Sequence, residues 1–203
     1  MKEIRSFDFE VRAESNDQGS VLTGQPIVYD QRTNLGWYDE IIDNGSLSMT
    51  DLRDVRFLVN HNTDMIPLAR SRNNNSNSTM QMEVVDGSGM NIRVNLDTEN
   101  NADAKALYSA VERGDISGMS FMFIVDEDNW EDLDSDHPTR HIRAIKRVME
   151  VSAVTFPAYE ATSIQARGLS DALESARASL ESAKAEKREK ERLKEKIRIL
   201  AEV

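Results

Sequence analysis

Residues 80–96, which read MQMEVVDGSGMNIRVNL, indicate the fold class. Apolar and polar side chains alternate on both sides of Asp86-Gly87-Ser88-Gly89, which is typical of two half-buried strands joined by a tight turn. Similar short runs recur between stretches rich in glycine, asparagine and aspartate, at residues 4–11, 21–29, 55–61, 117–125 and 142–155. We therefore predict a compact, mostly antiparallel β domain, either a barrel or a closed sandwich.

Two segments have helical patterns. Within 101–113, the apolar residues Ala104, Leu107 and Val111 fall on one helical face. After Gly168 the chain has no glycine or proline and is rich in strong helix formers. We therefore divide the chain into a β domain, 1–168, and a charged helix, 169–203, in an α+β fold.

The C-terminal segment carries its apolar residues at heptad spacing. We expect Ser170 to cap the helix at its N-terminus. The heptad positions are Leu169, Leu173, Ala176, Leu180 and Ala183. Two structures remain open for this segment: a coiled coil, or a solvated single helix held by charge pairs.

Two polar stretches are predicted to lack regular structure. Residues 71–79 contain no apolar side chain and should form a loop tip. Residues 126–139 are rich in acidic side chains and should form a flexible or disordered excursion.

The composition excludes several classes of protein. The 203 residues carry a formal net charge of −11, which argues against nucleic-acid binding. The absence of cysteine excludes a disulfide framework, a cysteine-type zinc site and a thiol nucleophile. No apolar run approaches the ~18 residues of a membrane span, and the amino terminus lacks a signal-peptide core. We expect a soluble, cytosolic protein, and no motif predicts a cofactor or metal.

A serine and a histidine are the first candidates for catalysis. Ser120 lies inside the apolar run Met119–Phe123, where serine is a poor choice for packing, so we take it as a candidate nucleophile. Ser117, nearer the turn, is better explained as a turn-capping hydroxyl. His61 ends the run Phe57-Leu58-Val59 and is either a structural edge histidine or a general base.

A third group would be needed to orient the imidazole. Glu150 lies in an apolar strand, where a carboxylate is costly unless it is paired. It is therefore either the orienting group or a structural acid tied to Lys146 or Arg147. Asp64 and His141 are competing candidates for the orienting role.

Three groups of segments carry a resemblance to a known family. They are 59–62 (VNHN) followed by 67–70 (PLAR), 114–121 (GDISGMSF), and 150–159 (EVSAVTFPAY), preceded by 24–29 (GQPIVY) and 37–42 (WYDEII). In this order they resemble the prohead (capsid-maturation) serine proteases of tailed bacteriophages of the Hong Kong 97 type. The resemblance covers residues 1 to about 165. Met122 departs from the family pattern, in which a small residue usually follows Ser-Phe.

The resemblance implies an endopeptidase related in fold to the herpesvirus assembly proteases, with a partly closed β-barrel surrounded by helices. It places the nucleophile at Ser120, the base at His61 and the third member at Glu150. The oxyanion would be held by a backbone N–H or by an arginine such as Arg143 or Arg147.

The same resemblance implies a biological setting. The protease would act inside the assembling prohead, in the host cytoplasm, on the scaffolding segment of the major capsid protein, and would then cleave itself. We further predict that residues 169–203 dock on scaffold, and the sequence leaves open whether the protein forms a homodimer or a higher oligomer.

Two other hypotheses remain open. The acidic surface and the charged helix also fit a non-enzymatic capsid scaffold or assembly protein with a β domain and a coiled-coil arm. A fused protease and scaffold that is cut near Gly168 is the third.

Overall fold

The computed structural model describes residues 2–7, 11–16, 19–155 and 166–201. These residues form an α+β structure, with eleven strands and two helices in the described part of the chain. The strands are β1 (Lys2–Phe7), β2 (Arg12–Asn16), β3 (Gly19–Val28), β4 (Thr33–Asn34), β5 (Asp39–Ile42), β6 (Asp54–Val59), β7 (Ala69–Arg72), β8 (Met80–Val85), β9 (Gly89–Leu96), β10 (Gly118–Glu131) and β11 (Thr139–Val154). The helices are α1 (Ala102–Glu112) and α2 (Ala166–Ala201).

The strands form two sheets. The smaller has the order β2-β3-β9-β8 and is antiparallel throughout. The larger has the order β1-β10-β11-β5-β4, and β6 pairs with β11 and with β7. Two pairings are parallel, because β5 and β6 each pair with β11 and run in the same direction as β11. Of the two predicted arrangements, a partly closed barrel and a closed sandwich, no closed barrel is found: the described strands form two sheets.

The β8–β9 hairpin agrees with its predicted strands and turn. The side chains of Met90, Ile92, Val94 and Leu96 alternate into the main core along β9. Gly89 has a φ of 132°, and a Cβ there would lie 2.0 Å from the carbonyl oxygen of Ile27. Only glycine fits this close approach between β3 and β9.

Helix α1 also lies where the sequence pattern predicts it. The side chain of Asn101 accepts hydrogen bonds from the backbone N–H groups of Asp103 and Ala104 and so caps the helix. Ala104, Leu107 and Val111 are buried, as expected for the apolar face.

The prediction of a flexible excursion at 126–139 is wrong. β10 continues to Glu131 and β11 begins at Thr139, so most of the segment is a long hairpin. Its acidic composition suggested disorder, but Asp128 accepts a hydrogen bond from Arg140 at 2.7 Å and Trp130 is 5% exposed. Tertiary partners therefore order an acidic stretch that could not order itself.

Helix α2 begins at Ala166, so the backbone of Ser170 is already helical and the predicted N-cap there is wrong. The side chain of Leu169 lies outside the described residues. Ala176 and Leu180 are buried in a second apolar cluster with Tyr38 and Trp130. The first part of the heptad seam therefore packs on this chain's own sheet. Farther along, Leu193, Ile197 and Leu200 are exposed.

In the part of the chain that the structure describes, neither helix is long and apolar enough to cross a membrane.

Candidate functional site

Three elements of the larger sheet meet at the candidate site. Ser120 lies on β10, and its direct partner across the antiparallel pairing is Ser152 of β11. On the other side of β11, the parallel pairing with β6 ends at Val59 opposite Ala153. His61 follows two residues later, so it emerges beside the part of β11 that faces Ser120.

The strand period explains why a polar site can exist in an apolar sheet. Successive side chains of a strand point to opposite faces. Phe121 and Phe123 belong to the main core, with ring centroids 4.8 Å apart, so Ser120 points to the other face. Glu150 and Ser152 are two residues apart on β11 and share a face.

The side chains of Ser120, His61 and Glu150 form a continuous hydrogen-bonded chain. Ser120 Oγ lies 2.5 Å from His61 Nε2. His61 Nδ1 lies 2.6 Å from Glu150 Oε1. Ser120 is fully buried, Glu150 is 3% exposed, and the imidazole is 9% exposed. These three hydrogen-bonded side chains are thus largely shielded from water, which strengthens the electrostatic interactions between them.

A strained turn directs the imidazole back over the sheet. Asn60 and His61 have φ values of 50° and 55°, in the left-handed region that non-glycine residues rarely adopt. The Asn60 side chain donates to Thr155 Oγ1 at 3.1 Å and accepts from the Thr155 N–H at 3.0 Å. These contacts hold the turn against the end of β11.

The competing orienting groups lie elsewhere. Asp64 is exposed, and its backbone N–H donates to the side chain of Asn62. His141 Nδ1 lies 2.8 Å from Asp43 Oδ1, far along β11 from Ser152. Of the three carboxylate or imidazole candidates, Glu150 is the one that contacts His61.

The two arginines suggested for the oxyanion do not reach the site. Arg147 is paired with Ile124, four residues along β10 from Ser120, or about 13 Å. It lies 3.9 Å from Asp51, while Arg143 contacts Asp43 at 2.6 Å. Oxyanion donors must therefore come from other groups.

A buried ion network lies next to β10, the strand that carries Ser120. Arg5 of β1 contacts Glu3 and Glu40, and Arg140 of β11 contacts the same two carboxylates. Burial raises the pKa of Glu3, but the guanidiniums of Arg5 and Arg140 outweigh it and lower that pKa below its usual range.

The network reaches both the site and helix α2. The Ser120 hydroxyl lies 2.7 Å from the backbone carbonyl oxygen of Arg5. On the helix, Ser175 Oγ donates to Glu3 at 3.1 Å. Burial raises the pKa of the adjacent Tyr38 hydroxyl to about 12, so it stays neutral. β1 and α2 thus form part of the structure that supports Ser120.

One member of the site was missed by reasoning from the sequence. Ser152 Oγ donates to Glu150 Oε2 at 2.5 Å and accepts the His61 backbone N–H at 3.1 Å. The alternation Glu150-Val151-Ser152 was the available signal, because it places a hydroxyl and a carboxylate on one face of a strand.

A hydroxyl, an imidazole and a carboxylate in this order form the constellation of serine hydrolases, which is recognised by geometry and not by position in the sequence. The described residues contain no group of three or more acidic or histidine side chains arranged to hold a metal ion. The family model of the caudovirus prohead serine proteases matches residues 7–175. The chain belongs to this family and is a serine protease of the prohead type. No curated protein and no solved structure gave a match.

Proposed function

We propose that this protein cleaves the scaffolding segment of the major capsid protein inside the assembling prohead, in the host cytoplasm, and also cleaves itself. Ser120 is the nucleophile, His61 the general base and Glu150 the orienting carboxylate. The observation that carries these roles is the hydrogen-bonded chain from Ser120 Oγ through the imidazole to Glu150. Membership of the prohead protease family supports the substrate class.

The geometry suits acyl transfer. With the Nδ1 proton directed at Glu150, Nε2 is free to take the Ser120 proton while Oγ attacks the carbonyl carbon of a peptide. The protonated imidazole then gives this proton to the leaving amine, which departs and leaves an ester on Ser120. Water hydrolyses the ester with His61 again acting as base, which restores the serine hydroxyl and releases the acid.

The contact of Ser120 with β1 imposes a condition on this mechanism. The hydroxyl has one proton, and both His61 Nε2 and the Arg5 carbonyl oxygen are within acceptor distance. Attack requires the proton to point at Nε2. Because Ser120 is fully buried in this conformation, a peptide also needs a local movement of the surrounding chain to reach it. Backbone N–H groups are the proposed oxyanion donors, since the two candidate arginines pair with acids elsewhere.

The finer relationships suggested by the sequence belong to the same proposal. They are a protease of the Hong Kong 97 type, a fold related to the herpesvirus assembly proteases, and assembly into a homodimer or higher oligomer. The distal part of α2 is the proposed scaffold-docking segment, and we propose that it pairs as a coiled coil, because its apolar residues Leu193, Ile197 and Leu200 are exposed at heptad spacing.

The decisive experiment compares two neighbouring serines. Ser120→Ala and the matched control Ser117→Ala, at an exposed position directly before β10, are each co-expressed with the capsid protein precursor. Ser120→Ala should abolish cleavage of the precursor and of the protease itself, with an unchanged circular dichroism spectrum. Ser117→Ala should cleave like the wild type. Processing by the Ser120→Ala protein, read by mass spectrometry, would refute the proposal, and binding without any cleavage by the wild type would favour a non-enzymatic scaffold.

A further inference from the structure

Ser152 connects two members of the candidate triad. It is fully buried, and it faces Ser120 across the β10–β11 pairing. Its hydroxyl lies 2.5 Å from Glu150 Oε2 and 3.1 Å from the backbone nitrogen of His61. The Ser152 hydroxyl therefore contacts both the side-chain carboxylate of Glu150 and the main-chain N–H of His61.

The donors and acceptors of this hydroxyl are matched. The hydroxyl donates its single proton to the carboxylate, because an ionised carboxylate has no proton of its own to donate. A lone pair of the hydroxyl oxygen accepts the His61 N–H. Both Glu150 oxygens are then held, Oε1 by the imidazole and Oε2 by Ser152. The carboxylate cannot rotate away from the imidazole without losing one of these bonds.

The main-chain bond acts where the backbone is strained. His61 has a φ of 55°, a conformation that persists only when its surroundings hold it. The bond from its N–H to Ser152 fixes the imidazole's own backbone to the strand that carries Glu150. Residues of β11 thus hold both the main chain and the imidazole of His61.

We propose that Ser152 is a positioning residue of the hydrolytic site, which holds the Glu150 carboxylate and the His61 main chain in the geometry needed for proton transfer. This inference rests on the proposed function. A buried serine that only fills space would have no such effect, and Ser71 of β7 offers a comparison. Ser71 is also fully buried, and its hydroxyl has no hydrogen-bond partner among the described residues.

The test uses the full chain and a fluorophosphonate probe, which reacts with an activated serine without requiring a known peptide sequence. Four proteins are compared: wild type, Ser152→Ala, Ser152→Thr, which keeps the hydroxyl, and the control Ser71→Ala. The maximal rate of labelling, kinact, is measured separately from the probe affinity, KI. Proton NMR follows the far-downfield signal expected for the His61 Nδ1 proton in its short bond to Glu150.

Loss of a hydrogen bond to a charged group should reduce kinact about ten- to a hundredfold in Ser152→Ala, with little change in KI. The downfield signal should shift or vanish. Ser152→Thr should recover most of the rate, and Ser71→Ala should match the wild type. If Ser152→Ala does not fold, Ser152→Cys, which is close in volume but a weak hydrogen-bonding partner, takes its place with the same expectation.

Three results would overturn the inference: wild-type kinact without the hydroxyl, an effect confined to KI, or an unchanged downfield signal in the slow variant. A wild-type protein that the probe fails to label at Ser120 would instead contradict the proposed function. The NMR signal would still report the Ser152 contact in that case, so the two failures are distinguishable.

Discussion

Replacing Glu150 with glutamine tests the role of the carboxylate most directly. Glutamine keeps the shape of the side chain but replaces one acceptor oxygen with an NH₂ donor. If the amide nitrogen faces His61, the imidazole must carry its proton on Nε2 and cannot take the proton of Ser120. If the nitrogen faces Ser152 instead, the hydroxyl that donated to Oε2 at 2.5 Å loses this acceptor for its proton and can only turn to accept from the amide.

The expected loss follows from these two orientations. A wrong tautomer at a triad histidine costs roughly 10⁴-fold in kcat in another serine protease. The second orientation keeps the correct tautomer but loses the bond donated by Ser152, worth about ten- to a hundredfold, and the negative charge that stabilises the protonated imidazole. We therefore expect a loss of about 10²- to 10⁴-fold for Glu150→Gln.

The assay is the rate of fluorophosphonate labelling at Ser120, with cleavage of the capsid precursor as the second measurement. Glu83→Gln is a suitable control, since it makes the same change at an exposed position of β8. Circular dichroism and thermal melting establish that both variants fold. A Glu150→Gln protein with more than about a tenth of the wild-type rate would refute the assigned role of the carboxylate.

The remaining predictions concern stability and the two parts of α2. The pKa of Glu3 is lowered in the folded protein, so its ion pairs with Arg5 and Arg140 stabilise the fold fully at pH values above the ordinary pKa of 4.5. This stabilisation is lost as the pH falls through the lower pKa of the folded protein. Glu3→Gln should therefore cost about 3–5 kcal/mol at pH 7, and urea melts should show this difference shrinking in acid; an equal difference at both pH values would contradict the sign. Leu180→Ala should lower the free energy of unfolding by about 2–3 kcal/mol, measured by the same melts, because the side chain is 7% exposed in the second apolar cluster; an unchanged midpoint would mean that the helix does not depend on this contact. Removing residues 185–203 should preserve fluorophosphonate labelling but reduce incorporation into proheads, measured by mass spectrometry of purified particles, and loss of labelling would place this segment within the catalytic fold.

The fold was predictable where the local pattern agrees with the tertiary structure. The alternation in 80–96 predicts β8 and β9, and the apolar face of 101–113 predicts α1. Strands β4, β5 and β7 have two to four residues each, too few for a period to emerge. Residues 8–10 of the predicted first strand lie outside the described residues. Local periodicity does not specify which distant strands pair, so the sequence left a barrel and a closed sandwich as alternatives and did not predict the two sheets in detail.

The candidate site was predictable by residue type but not by geometry. A serine in an apolar strand and an unpaired-looking acid are visible in the sequence because each contradicts the composition around it. Their approach to His61 depends on the register of β6, β10 and β11, which no local pattern specifies. The role of Ser152 was not predicted, because it depends only on the contacts of Ser152 with Glu150 and with the His61 main chain.

The order of strands also bears on when activity can arise during translation. β10 carries Ser120 and lies between β1 and β11, whose positions in the chain are more than a hundred residues apart. A nascent chain therefore cannot build this site until β11 has left the ribosome, and joining such distant segments is slow compared with forming a helix. We expect synthesis to deliver a polypeptide in which this site is assembled only after both distant segments have been joined.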